Sequence, residues 1–94
     1  MAILGFKDKE TTKIFHGLYS RRLPTEIQNT ALRKLIYMDN ASSLNDLRTP
    51  PANRLEMLTG NRKGQYSIRI NNQYRICFTV HDNGFDDVEI VDYH

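Results

Sequence analysis

Apolar positions recur at helical spacing in the first half of this chain and alternate in the second. Ala2-Ile3-Leu4-Gly5-Phe6 predicts a short opening strand. Residues 8–18 then read as a helix, with Asp8 as N-cap and Ile14, Phe15 and Leu18 as its apolar contacts; Gly17 weakens the last turn. Pro24 suits the first position of a second helix. Its stripe is Ile27, Ala31, Leu35 and Met38, widened toward the core by Leu32 and Ile36, with Gln28, Arg33 and Lys34 on the other side. Asn40-Ala41-Ser42-Ser43 breaks the pattern. Ser43 suits the cap of one short turn through Leu44 and Leu47, before Pro50-Pro51 forbids further helix.

From Leu55 the period changes to two. Tyr66, Ile68 and Ile70 alternate with polar neighbours, and so do Tyr74, Ile76, Phe78 and Val80, with Asn71-Asn72-Gln73 as the turn between. A two-residue loop would set Ile68 against Arg75 and mix the faces. A three-residue loop pairs Ile70 with Tyr74, Ile68 with Ile76 and Tyr66 with Phe78 on one face, and Arg69 with Arg75 and Ser67 with Cys77 on the other. A one-residue slip inverts a whole face, so the three-residue loop is expected, with an Asn in the left-handed region. Two arginines directly opposite repel unless their side chains splay apart or an anion lies between them. Asp82-Asn83-Gly84 turns the chain again, and Val88 to His94 forms a last strand. In it Val88, Ile90, Asp92 and His94 share one face, and Glu89, Val91 and Tyr93 the other. The fold class expected is α+β: a small, mostly antiparallel twisted sheet with two N-terminal helices packed on one face.

Composition narrows the class. Ninety-four residues suit a single domain over 1–94, and 39% hydrophobic with 26% charged residues is an ordinary globular balance. No apolar run approaches the ~20 residues a membrane helix needs, and the start lacks a basic n-region. One cysteine, Cys77, excludes an internal disulfide and fits a reducing cytoplasm. One cysteine with three scattered histidines offers no structural-zinc spacing, so no metal or cofactor is expected.

Charge is distributed unevenly. All 13 Lys and Arg fall in residues 1–75 against six acids there, a net of +7, whereas residues 76–94 carry five acids and no Lys or Arg. Between Arg48 and Arg75 six bases face Glu56 alone. Such asymmetry suits a polyanion or an acidic partner, although many soluble domains carry uneven solvated charge.

Two clusters could carry chemistry. The chain ends in Asp92-Tyr93-His94; His94 can exchange a proton near neutrality, and Asp92 can fix its tautomer or accept a proton itself. The same three residues also suit a solvated tail. The second cluster runs from Arg54 to Gly64, where flanking glycines suit a tight loop with Arg62 and Lys63 at its tip. Glu56 there is either an ion-pair partner or a carboxylate beside a reacting phosphate. No P-loop, HExxH, CxxC, GxSxG or GxGxxG motif occurs.

The run Arg54-Leu55-Glu56-Met57-Leu58-Thr59-Gly60-Asn61-Arg62-Lys63-Gly64-Gln65-Tyr66-Ser67-Ile68-Arg69-Ile70-Asn71-Asn72-Gln73-Tyr74-Arg75-Ile76-Cys77-Phe78, followed by Val88-Glu89-Ile90-Val91-Asp92-Tyr93-His94, resembles the HigB toxins of the RelE superfamily over essentially the full length. Its wording is similar to that of the GraT-type members. The resemblance implies a RelE-like fold and a toxin of a type II toxin–antitoxin module. It implies a ribosome-dependent endoribonuclease that cuts mRNA in the A site. It also implies neutralisation by a HigA-type helix-turn-helix antitoxin, through which alone operator DNA would be bound. The family's C-terminal Asp-Tyr-His falls on Asp92, Tyr93 and His94, and its strand arginine on Arg75. Where some members place a catalytic histidine this chain has Glu56, so the resemblance implies that Glu56 takes the acid–base role, that His94 performs it alone, or that activity is weaker.

Metal-free RNA cleavage needs in-line attack of a 2′-hydroxyl, a base, an acid and cations for the developing charge. Arg75 and Arg69 are the expected phosphate clamp, and Tyr93 a stacking or orienting group. Arg48, Arg54, Arg62, Lys63, Arg21 and Arg22 are expected to grip RNA or the ribosome. A non-catalytic RNA-binding module and a ribosome-independent ribonuclease are the competing readings. No membrane partner is expected.

Overall fold

The computed structural model describes residues 1–93. Two helices lie on one face of a five-stranded sheet. Strand β1 (Ala2–Ile3) is followed by α1 (Lys9–Phe15), α2 (Thr25–Asp39), β2 (Glu56–Met57), β3 (Tyr66–Arg69), β4 (Tyr74–His81) and β5 (Gly84–Asp92). The sheet order is β1-β5-β4-β3-β2. Only β1 runs parallel to its neighbour; the other three pairs are antiparallel. The expected α+β layering is what the chain adopts.

The helices form where capping and periodicity direct them. Asp8 caps α1 by accepting from the Thr11 amide at 2.7 Å. Thr11, fully buried, also accepts the Ile90 amide of β5 at 3.0 Å, tying the helix to the sheet. The helix stops at Phe15, short of the expected Leu18, because Gly17 takes a φ of 77° and turns the chain away. Leu18 is therefore exposed and makes none of the core contact its spacing suggested. In α2 the stripe Ile27, Ala31, Leu35 and Met38 is buried, with Leu32 packed at its edge. Ile36 points outward at 46% exposure, one position beyond the reach of the stripe, and Pro24 sits at the N-cap rather than the first helical position.

Two residues assigned to the solvent side of α2 hold the fold together. Gln28 accepts from the Ser20 amide and donates to the Ser20 and Leu23 carbonyls, fixing the α1–α2 connection. Lys34 donates to Asn53 Oδ1 at 2.6 Å. Asn53 is buried in the last of two short 3-10 turns, Leu44–Arg48 and Pro51–Asn53, and donates in turn to the Leu47 and Thr49 carbonyls. Leu47 fills the core as its spacing predicted; Ser43 stands at the N-cap position without a side-chain bond.

The β3–β4 hairpin has the expected register, with Tyr66 against Phe78, Ser67 against Cys77, Ile68 against Ile76 and Arg69 against Arg75. Its loop closes differently. No Asn adopts a left-handed φ; instead Asn71 Oδ1 accepts the amides of Gln73 and Tyr74 at 2.8 and 2.7 Å.

Strand β5 begins four residues before Val88. Phe78 of β4 is opposed by both Asp87 and Val88, a bulge in which Asp87 takes a φ of 49°. The extra residue lets Phe85 and Val88 both face the helices, which strict alternation forbids. The opening strand is likewise shorter than expected, with Phe6 making a lone parallel bridge to Val88. Ile68, Ile76, Phe78, Phe85 and Val88 pack under α1 and α2 as the core.

Candidate active site on the open face of the sheet

The opposite face carries no helix. Across it run Glu56 (β2), Ser67 (β3), Cys77 (β4) and Glu89 (β5) in one row, then Arg69, Arg75 and Val91 in the next. Tyr93 follows, its amide donating to the Gln73 carbonyl at 2.6 Å. Ser67 and Cys77 are fully buried although no second layer lies above them, because long side chains fold across the sheet.

Arg75 is the centre of this arrangement. Its Nε donates to Ser67 Oγ at 2.7 Å, its Nη2 donates to the Arg54 carbonyl at 2.7 Å, and the same nitrogen lies 3.2 Å from Glu56 Oε1. Arg54 reaches that position through a left-handed φ of 46° that reverses the chain after Asn53. The guanidinium carbon stands 5.7 Å from the centre of the Tyr93 ring, within cation–π range. The Arg75 side chain is 11% exposed, so a group held on four sides presents only one edge to solvent. Arg69, directly opposite, is drawn the other way by Asn72 Oδ1. The repulsion expected between the two arginines is relieved by this divergence.

The gap between them is a hollow of ≈ 210 Å³ lined by Arg54, Arg69, Asn71, Asn72, Arg75 and Tyr93. Three arginines and a tyrosine around one space suit a phosphodiester with its attached ribose and base. On the far side of Tyr93 a second hollow of ≈ 370 Å³ is lined by Arg62, Val91, Asp92 and Tyr93. Tyr93 divides the two.

The other expected site residues distribute unevenly. Glu56 joins the centre as the partner of Arg75, which the alternation could not foresee because β2 is only two residues long. Asp92 lines the second hollow together with Tyr93, although parity assigned them to opposite faces, and accepts from Gln73 Nε2 at 3.1 Å. His94 lies outside the described residues. Arg62 is turned inward from the Gly60–Arg62 turn: it pairs with Glu89 at 2.7 Å and bonds Gln65, and that hydrogen bond to Glu89 raises its already high pKa. Lys63 remains exposed beside it. Arg48 is exposed and bonds Asn45, while Arg21 and Arg22 sit in the helix-to-helix connection and are not brought to this face. Ser67 and the Arg54 carbonyl are the functional groups that sequence reasoning passed over. The signal for Ser67 was its parity with Arg69. Among the described residues no group of three or more His, Cys, Asp or Glu is placed to hold a metal ion, and no helix is long and apolar enough to cross a membrane.

Residues 4–94 match the model of a family described as RelE-like toxin of type II toxin-antitoxin system HigB. Toxin HigB-1 of Vibrio cholerae serotype O1 is 47% identical over 76 residues, which cover 80% of each chain. An uncharacterized protein of Haemophilus influenzae is 34% identical over 79 residues, covering 83% of this chain and 78% of that one. The fold is shared with Staphylococcus aureus YoeB. The chain from its complex with YefM superposes with a TM-score of 0.61 at 21% identity, over 100% of this chain and 99% of that one. The chain from the YoeB dimer gives 0.60 at 24%, over 100% and 97%. A matched family model spanning nearly the whole length, with a near-half-identical HigB relative, identifies the chain as a member of the RelE-like HigB toxins of type II toxin–antitoxin systems.

Proposed function

We propose that this toxin is a ribosome-dependent mRNA endoribonuclease that cuts in the A site without a metal and is neutralised by a HigA-type antitoxin. The observation that carries the reading is the hollow in which Arg54, Arg69 and Arg75 surround one space, with Tyr93 as a wall and Glu56 against Arg75. Family membership supports the same reading.

In the proposed reaction the scissile phosphate enters between Arg69 and Arg75. Arg75, already oriented by Ser67 and the Arg54 carbonyl, needs little reorganisation to receive the charge that grows on the non-bridging oxygens. A base of the mRNA stacks on Tyr93, which helps align the 2′-oxygen for in-line attack. Glu56 accepts the proton of the attacking 2′-hydroxyl. The P–O5′ bond breaks, and the 5′-oxygen leaves as a hydroxyl after taking a proton, for which His94 is the proposed donor. The products are a 2′,3′-cyclic phosphate and a 5′-hydroxyl. Asp92 acts from the neighbouring hollow, outside the phosphate's immediate contacts.

Incubating the protein with mRNA, with and without translating ribosomes, tests the proposal. Cuts at A-site codons only in the programmed-ribosome tube are expected. Cuts in naked RNA would replace the reading with a ribosome-independent nuclease, and no cuts in either tube would replace it with a binding module.

A further inference from the structure

Beyond the open face, the strongest unassigned feature is a band of positive charge without matching carboxylates. Among the described residues, salt bridges within 4.0 Å engage Lys7 and Arg62 with Glu89, Lys13 with Glu10, and Arg75 with Glu56. Arg33, Lys34, Arg54 and Arg69 form none. Arg33 and Lys34 lie on α2 and, with Tyr37, Pro50 and Asn53, line a groove of ≈ 270 Å³ between that helix and the 3-10 turns.

The groove is built rather than merely charged. Asn53 is 2% exposed and its amide group is committed to the Leu47 and Thr49 carbonyls, so its Oδ1 is fixed and presents a neutral acceptor to Lys34. A half-buried ammonium thus rests on an amide where a carboxylate would compensate it better. Burial first, then the charges of Arg33 and Arg69, push the Lys34 pKa down, so both guanidinium groups act on its ammonium. Tyr37 donates its hydroxyl to the Asp46 carbonyl, and its ring stays 42% exposed as the groove's flank. The groove adjoins the Arg75 hollow along the chain, because Asn53 lines one and Arg54 the other.

We propose that the groove between α2 and residues 50–53 is a second phosphodiester-binding site, in which Arg33 and Lys34 hold RNA backbone beyond the linkage bound by Arg75. A phosphate there supplies the negative charge that the protein does not. The inference rests on the RNA-cleaving reading above. The backbone has two sources, the mRNA strand continuing out of the hollow or ribosomal RNA lining the A site, and the same chemistry serves both.

The test measures dissociation constants against salt for two probes: a single-stranded RNA oligonucleotide blocked by 2′-O-methylation, and mRNA-free ribosomes. The Arg33→Gln/Lys34→Gln double variant is compared with the unaltered protein and with Lys34→Arg. Glutamine keeps a donor for Asn53 while removing the charge, and thermal unfolding monitors integrity. The double variant is expected to lose about one unit of log–log salt slope for each charge removed, on at least one probe. Lys34→Arg, which keeps the charge, is expected to keep the full slope, whereas a merely structural role for Lys34 would leave the slope unchanged in the double variant as well. Loss on the oligonucleotide assigns the groove to mRNA; loss on ribosomes alone assigns it to ribosomal RNA. Unchanged slopes on both probes overturn the second site while leaving the Arg75 reading intact. If the unaltered protein binds neither probe and cuts nothing, both readings fall together.

Discussion

Glu56 and Arg75 meet at 3.2 Å although a whole strand, β3, separates the strands that carry them. Arg75 reaches diagonally over Ser67, and the carboxylate waits at the sheet edge, 52% exposed on its side chain. On the proposed reading, Glu56 both orients the guanidinium and takes a proton from a nucleophile bound beside it. Glu56→Gln keeps the shape and removes the proton acceptor. Single-turnover cleavage on programmed ribosomes is expected to fall by about 10²–10⁴. A fall below tenfold would reduce Glu56 to a partner of Arg75.

Arg75 makes contacts in three directions with a planar fork, which an ammonium group cannot reproduce. Arg75→Lys is therefore expected to lose at least about 10² in cleavage rate, close to Arg75→Ala, despite keeping the charge. Antitoxin binding, followed by co-purification, is expected to survive both changes. Recovery of most activity by lysine would show that charge alone suffices.

Tyr93 divides two hollows and presents its ring to both. If the ring acts by stacking, Tyr93→Phe should stay within about threefold of the parent rate. Tyr93→Ala should lose the ~1–3 kcal/mol that one base–aromatic stack contributes. Equal loss in both variants would assign the role to the hydroxyl.

Asn53 is the buried polar anchor of the loop that leads to Arg54. Asn53→Ala strands the Leu47 and Thr49 carbonyls and the Lys34 ammonium at once. Urea denaturation is expected to show a loss of about 2–3 kcal/mol. Cleavage should weaken more than a surface change of equal size, because the Arg54 carbonyl that positions Arg75 is the next residue.

Cys77 is fully buried on the open face, and burial raises its thiol pKa above the usual 9.0. The folded protein then holds this proton more tightly than the unfolded chain does. Stability attributable to the site is full below pH 9.0 and declines as pH rises beyond it. Cys77→Ala is expected to flatten the alkaline limb of a stability–pH curve. At pH 8 the native thiol should react with a disulfide reagent far more slowly than in denaturant.

The parts of the fold legible in the sequence are those where a period of two or 3.6 leaves one solution. The β3–β4 register followed from Ile68, Ile76 and their neighbours because any slip buries Arg69 or Arg75 under the helices. The α2 stripe followed for the same reason. What escaped was local geometry that breaks a period. Gly17 ended α1 early, and Asp87 inserted a residue into β5, so that Phe85 could not be read as part of the strand. The site divided along the same line. Arg69, Arg75 and Tyr93 could be placed together by parity, whereas Glu56 arrived through a two-residue strand with no periodic signal. Lys34 and Gln28 looked like solvated positions because a helical wheel does not foresee the loops that fold onto it.

The inserted residue at Asp87 acts as a phase key for the end of the chain. Upstream of it β5 is locked to β1 and β4, where a Cβ on Gly84 would collide with the Ala2 carbonyl; downstream every side chain is set by the count. Excising a single residue between Phe85 and Val88 would force a choice. Either Tyr93 rotates beneath the helices and Asp92 takes its place beside Arg75, or the strand start unzips from its neighbours to keep Val88 and Ile90 inside. Length at this one point, more than residue type, decides which terminal side chains stand beside Arg75 on the open face.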